Sequence, residues 1–297
     1  MKSVVADNET TVTCVRIETV GGLILRFIAY PHDLSMSNGE VYQSDSGYQP
    51  TALSSTTTLA PAVLDLQGVF DAAGISRDEL VSGVMDNARA YVFNTSWATP
   101  VEDEEPVGKF LLGKARIQDD RYVIEHMHLI DALNESVGRT YGPKCPWVLF
   151  DETLDGDTIP YQRSRCTGPR SAQDGPLLSA YKVTGTVTHV TSQKVWRDSS
   201  RAEAVNYFNY GSILWTTGDN AGLRSQEIKT HAADGTVTQY MATHYPVQVG
   251  DTYEMAPGCD GLRAGDCKTK FSNAANYGGF ADMITSTAYT KHGTSGA

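Results

Sequence analysis

Four of the chain's five cysteines stand as two spaced pairs in its second half, Cys145 with Cys166 and Cys259 with Cys267. Four thiolates are what a tetrahedral metal ion or a cubane iron–sulfur cluster takes from a protein. Each of the four sits beside Gly or Pro: Cys145 follows Tyr141-Gly142-Pro143-Lys144, Cys166 precedes Thr167-Gly168-Pro169, Cys259 follows Pro257-Gly258, and Cys267 follows Gly265-Asp266. Such residues mark turns and loops, where backbone can wrap a ligand, whereas a cysteine serving as a small core hydrophobe sits more often inside an apolar run. The gaps are C-x20-C, then 92 residues, then C-x7-C. These match neither the tight C-x2-C knuckles of structural zinc sites nor the ferredoxin runs, so the residues alone read as a four-cysteine metal site, zinc or iron–sulfur. Two disulfides would need an oxidising compartment. The opening Met1-Lys2-Ser3-Val4-Val5-Ala6-Asp7-Asn8-Glu9 lacks the apolar stretch of a signal peptide, and no later segment approaches a membrane span, so the expectation is a chain folded in a reducing cytoplasm.

Other chemistry-bearing groups are weaker. The run Glu102-Asp103-Glu104-Glu105 before Pro106 reads as a solvated acidic loop. Asp151, Glu152, Asp155 and Asp157 lack the spacing and terminal Glu of a calcium-binding EF-hand loop. His126 and His128 alternate along a strand and share a face, but the sequence fixes no third ligand beside them. No cysteine has the surroundings of a peptidase nucleophile, and G-x-S-x-G, H-E-x-x-H and phosphate-loop motifs are missing. The expectation is a protein that is not an enzyme.

The elements that must position the cysteines are mostly strands. Alternation marks strands at Thr10–Ile17, Gly22–Tyr30, Val41–Tyr48 after an Asn38-Gly39 turn, and a hairpin of Val107–Ile117 with Tyr122–Ile130. Further strands are expected at Leu178–Val190, Gly211–Thr216, Glu227–Thr230, Val237–Met241 and Asp251–Met255. Ser76 with Glu79 forms a capping box before a short helix, and Asp198–Tyr207 carries a helix-compatible Arg-Ala-Glu-Ala. The fold class is mainly β: two β-rich domains, barrel or sandwich-like, with few short helices and a C-terminal cysteine-bound module. The expected divisions are residues 1–140, 141–284 and a flexible Thr/Ser/Gly-rich tail, 285–297. With 297 residues, 40% hydrophobic and 20% charged, the chain is long enough for two cores. A net charge of −11 with no basic run argues against a surface for binding nucleic-acid phosphates, and suits a protein past which DNA travels without sticking.

The C-terminal residues Gly258-Cys259-Asp260, Arg263, Cys267, Phe271, Asn273, Asn276, Tyr277, Gly279 and Phe280 resemble a pattern of phage and gene-transfer-agent tail proteins. The stretch Tyr207-Phe208, Gly211, Trp215-Thr216-Thr217-Gly218, Asn220-Ala221-Gly222 is similar to the same family, as are Arg16-Ile17, His32-Asp33-Leu34, Gly39, Tyr42, Gly68 and Gly83 upstream. The resemblance covers about residues 15 to 282, and the family is that of the iron–sulfur hub proteins of gene transfer agents and long flexible phage tails, which includes the lambdoid minor tail protein L. It departs at the end: where the family continues with Pro and then His-Met-Pro-Gly, this chain reads Ala281-Asp282-Met283-Ile284-Thr285. The C-x20-C gap is also longer than the family's, which points to an insertion around Leu149–Tyr161.

The resemblance implies a virion tail-tip protein assembled in the host cytoplasm, a homotrimeric baseplate hub that joins the tail tube and distal tail ring to the central fibre and other tip proteins. It implies that Cys145, Cys166, Cys259 and Cys267 hold a [4Fe-4S] cluster, whereas Cys14 matches no cluster position and reads as a buried strand residue. A fully protein-ligated cluster leaves no position for substrate, so its role would be structural. Two alternatives stay in view: a zinc-stapled binding module, and a tail-associated cell-wall hydrolase, for which no Cys–His or carboxylate pair is found. No stable membrane insertion is expected.

Overall fold

A computed structural model describes residues 10–44, 48–50, 64–69, 75–119, 121–128, 141–161 and 163–282. The expected tail, 285–297, lies outside the described residues. The chain divides into two compact units, Met1–Val137 with Gly222–Arg224, and Gly138–Ala221 with Ser225–Ala297.

The first unit is built on strands β1 (Thr11–Glu18), β2 (Ile24–Ile28), β3 (Leu34–Ser35), β4 (Val41–Tyr42), β5 (Tyr48–Pro50), β6 (Leu64–Val69), β7 (Arg89–Ser96), β8 (Glu105–Gln118) and β9 (Arg121–His128), with one helix, α1 (Arg77–Ser82). Seven strands form a sheet in the order β2-β1-β7-β8-β9-β6-β5, and β3 pairs with β4 separately. Along β1 the side chains alternate between two clusters. Val15 and Ile17 join Phe27, Ala90, Val92, Phe110, Leu112, Tyr122 and Ile124 on one face. Val12 and Cys14 join Ile28, Leu34, Met36, Tyr42 and Phe93 on the other. The strand is therefore buried from both sides, which is why the alternation of its apolar residues is incomplete. The β8–β9 hairpin closes where the sequence placed it, with Gln118 opposite Arg121. Helix α1 carries the expected capping box, Ser76 accepting from the Glu79 amide and Glu79 from the Ser76 amide, and ends on Gly83 at φ 81°.

The second unit carries α2 (Leu178–Tyr181), β10 (Val183–Thr186), β11 (His189–Ser192), β12 (Val195–Arg197), β13 (Ser212–Trp215), β14 (Gln226–His231), β15 (Thr236–Gln239), β16 (Thr252–Ala256) and α3 (Asp266–Thr269). Its seven strands run β10-β16-β13-β14-β15-β12-β11, all neighbours antiparallel, over a core of Trp196, Trp215, Phe208, Tyr253, Ile213, Ile228, Val237 and Met255.

The structure corrects three readings here. Val41–Tyr48 is not one strand: β4 ends at Tyr42, the chain bends at Ser44, and Tyr48 opens β5 in the seven-stranded sheet. Leu178–Val190 is not one strand: Leu178–Tyr181 forms a short helix, and β10 and β11 follow it. Leu178 and Tyr181 are held by packing on Phe150 and Phe271, so tertiary contact sets the helix rather than local propensity. Asp198–Tyr207 is not helical. The Asp198 carboxylate accepts the Ser200 amide and hydroxyl, a local turn that competes with helix start, and Asn206 adopts a left-handed φ of 67°.

Candidate metal centre

The four cysteines of the second unit converge from three separate loops. Cys145 lies on the segment entering the unit, its amide donating to the Gly261 carbonyl at 2.8 Å. Cys166 sits in a one-turn 3-10 helix, Arg165–Thr167. Cys259 follows β16 after Pro257-Gly258, and Cys267 lies in α3 and is buried. Gly258 is required by closeness of approach: a Cβ there would overlap the Tyr210 carbonyl, where Tyr210 itself takes a left-handed φ of 60°. Gly278 is required for the same reason, because a Cβ would run into the Trp147 indole.

All four thiols are free, and Cys166 lies within electrostatic range of the other three. Burial pushes the Cys166 thiol up to about 12, and the negative charge of Cys145, Cys259 and Cys267 adds to the rise. Cys259 is pushed up to about 11, first by burial, with Asp260 and Asp266 adding to it and the Gly261 amide opposing. Cys267 is raised by burial, then by Cys145 and Asp260, with Arg263 opposing. Burial thus favours the neutral thiol at Cys166, Cys259 and Cys267 where no cation is bound.

Hydrogen-bond donors point at the sulfurs. The Gly261 amide donates to Cys259 Sγ at 3.4 Å, and the Gly278 amide to Cys145 Sγ at 3.4 Å. Asn273 Nδ2 donates to Cys166 Sγ at 3.2 Å and to the Cys166 carbonyl at 2.7 Å. Cys267 Sγ donates to the Asn273 carbonyl at 3.4 Å, while the Cys267 carbonyl accepts the Asn273 amide at 2.7 Å. The strap carrying Gly278 is pinned by Tyr277, whose hydroxyl donates to the Pro143 carbonyl, and by the Phe280 amide on the Gly142 carbonyl at 2.9 Å. Cys259 also packs on the cluster of Phe150, Leu154, Leu178, Ala256 and Phe271 beneath the site. Among the described residues, no three His, Cys, Asp or Glu side chains gather closely enough to hold a metal ion.

The other groups singled out from the sequence lie elsewhere. Cys14 is fully buried in β1, where burial raises its thiol to about 12. His126 and His128 are on β9, and their side chains lie outside the described residues. The acidic run is not simply solvated. Glu102, 17% exposed, accepts from the Tyr42 hydroxyl and Asn38 Nδ2, both at 2.6 Å, and pairs with Arg16 at 3.0 Å; Glu104 accepts from Thr95. Asp151 and Asp155 brace turns, taking the Leu178 amide and the Ser225 amide and hydroxyl. Asn273 and Asn276 stood in the sequence pattern, but nothing in their residue type announced contact with a thiol.

Comparison with known proteins decides the family. Residues 2–153, about half of the chain, match the family model described as "Baseplate hub protein, N-terminal attachment domain". The chain belongs to the baseplate hub protein family. It is a structural component of a phage-type tail baseplate. Residues 206–286, which include Cys259, Cys267, Asn273 and Asn276, match a second family, "Phage conserved hypothetical protein BR0599". A chain from the virion of a native gene transfer agent particle has the same fold at a TM-score of 0.75 and 20% identity, over 96% of this chain and 93% of that one. No curated protein is matched. No helix among the described residues is long and apolar enough to cross a membrane.

Proposed function

We propose that this baseplate hub protein forms a homotrimer at the virion tail tip, joins the tail tube and distal tail ring to the central fibre, and carries one [4Fe-4S] cluster per chain on Cys145, Cys166, Cys259 and Cys267. The observation that supports the cluster most is the convergence of four thiols from three loops, with N–H donors on three of the sulfurs. Buried thiolates of like charge hold together around a polynuclear cation, and N–H···S bonds are the usual outer contacts of iron–sulfur sites. Four cysteine thiolates can hold a cubane or a single zinc ion, and the resemblance to the iron–sulfur hub proteins favours the cubane.

Bound there, the cluster supplies a cross-link. It ties the loop entering the second unit to the segment that follows β16, closing a long stretch of chain whose ordering is otherwise opposed by entropy. In the first unit, β2 is the edge of the seven-stranded sheet, and its Ile24 with Leu23 and Val20 of the adjoining turn are exposed. Gln43 pairs with Arg26 and Ile28 at the far end of β2, and the exposed apolar end at Ile24 suits packing against another subunit or a neighbouring tail protein. The acidic charge suits passage of DNA without retention.

Anaerobic purification with iron, sulfide and zinc analysis tests the reading. A brown protein with about four irons per chain, lost in Cys259→Ser, is the expected result. One zinc in a colourless protein would replace the cubane with a zinc staple, and neither metal would remove the site. Subunit counting by mass in intact tails tests the trimer, and a single copy per particle would refute it.

A further inference from the structure

We infer that Asn273 positions and electronically tunes the cluster that the cysteines hold, with Asn276 as its support; this rests on the [4Fe-4S] reading above. Asn273 is buried and touches two of the four ligands from both ends. Its backbone amide donates to the Cys267 carbonyl, and its carboxamide reaches Cys166, 107 residues away in sequence. The orientation of the carboxamide is dictated by its neighbours. The Cys166 carbonyl can only accept, so Nδ2 faces it at 2.7 Å and Cys166 Sγ at 3.2 Å, leaving Oδ1 on the other side. There Asn276 Nδ2 donates to Asn273 Oδ1 at 2.7 Å and to the Asp174 carboxylate, another obligatory acceptor, at 2.9 Å. The result is a one-way chain of donors, Asn276 to Asn273 to Cys166, in which each bond polarises the next toward the sulfur.

A donor aimed at a ligating sulfur stabilises the electron-rich reduced cluster more than the oxidised one and so raises its reduction potential. The Gly261 and Gly278 donors are backbone amides that substitution leaves in place, whereas Asn273 is the side-chain donor and can be removed without touching a cysteine. Asn276 acts through Asn273 and is a positioning residue one step further out.

The test is a redox titration, followed by electron paramagnetic resonance, of anaerobically reconstituted wild type, Asn273→Leu and Asn276→Leu. Leu keeps the branched side-chain skeleton and removes the donors. The expected result is a lower midpoint in Asn273→Leu by a factor of about ten in the reduced-to-oxidised ratio, about 59 mV for a one-electron couple. A smaller fall in the same direction is expected in Asn276→Leu, with four irons retained. Variants that hold their iron at the wild-type potential would overturn the inference while leaving the cluster intact. If Asn273→Leu fails to load, Asn276→Leu decides: a wild-type midpoint there refutes tuning. Wild-type protein that binds no iron would refute the cluster reading and this inference together.

Discussion

Replacing Asp198 should weaken the second unit in a way that fades in acid. Asp198 is 1% exposed, yet its carboxylate is fully occupied. Oδ1 accepts the Ser200 amide at 2.9 Å and hydroxyl at 2.6 Å, while Oδ2 accepts the Thr186 amide at 3.2 Å and the Tyr253 hydroxyl at 2.7 Å. Arg201 Nε stands 3.5 Å from Oδ2. Asp198→Ala strands the Ser200, Thr186 and Tyr253 donors, while Arg201 keeps Glu203 and the Thr184 carbonyl, a loss of about 1–3 kcal/mol for each donor left without another partner. Asp198→Asn keeps the shape but turns an NH2 toward one pair of donors, costing about 1–3 kcal/mol. Against a domain stability of roughly 5–15 kcal/mol, the alanine variant gives up a large share. Burial by itself would raise the Asp198 carboxyl, but the bonds from Ser200, Tyr253 and Thr186 outweigh it and hold it below the usual carboxylate range. A carboxyl depressed on folding contributes its stability above its unfolded pKa of about 3.9 and loses it as pH falls through the folded value. The gap between wild type and Asp198→Asn should therefore be widest near neutrality and narrow below about pH 4. Urea unfolding followed by tryptophan fluorescence reads this directly, because Trp196 and Trp215 pack on Tyr253 with ring centroids 4.8 and 6.2 Å away. An alanine variant that unfolds at the wild-type urea concentration, or a gap that stays constant into acid, would refute the argument.

Other consequences can be checked as simply. Ser76→Ala removes the α1 capping box and should cost about 1 kcal/mol by the same denaturation, with no effect on metal content. Gly258→Ala must push the Tyr210 backbone aside and should destabilise by about 1–3 kcal/mol or more; a neutral result would mean the close approach of these two segments is wrong. Cys14, fully buried and with its thiol raised to about 12, should resist iodoacetamide in the folded protein and react on unfolding, as peptide mass mapping would show.

What could be read from the sequence followed the reach of each signal. The β8–β9 hairpin and the α1 capping box were legible because their determinants lie within a few residues of one another. Cys14 was legible as a strand residue from its apolar neighbours. Helix α2 was not, because Leu178 and Tyr181 fold back onto Phe271, and the β-branched residues that follow suggest a continuous strand. The acidic run misled for a similar reason. Glu102 is engaged by Tyr42 and Arg16, 60 or more residues upstream, and no local pattern reveals that. The thiols declared themselves by type and by their Gly and Pro neighbours. The asparagine that touches two of them carries no such mark, since its role depends on a contact across 107 residues.

If the four cysteines are cross-linked by a cluster, the consequences of removing it should be regional. Cys166 and Cys259 are separated by 92 residues, and a cross-link closing a loop of roughly a hundred residues stabilises by about 4–5 kcal/mol in chain-entropy terms. Cys259 also packs on Phe271, Phe150 and Leu178, so loops and small core loosen together once the link is gone. The first unit has its own two clusters, which include residues of β1, β2, β7, β8 and β9. Hydrogen exchange on Cys259→Ser against wild type should therefore show amides in 141–182 and 257–282 exchanging up to about a thousandfold faster, with β1, β7 and β8 unchanged. Uniform loss of protection would mean the cluster governs global folding. No loss anywhere would mean the thiols converge without being joined, and the structural role assigned to the cluster would have to be abandoned.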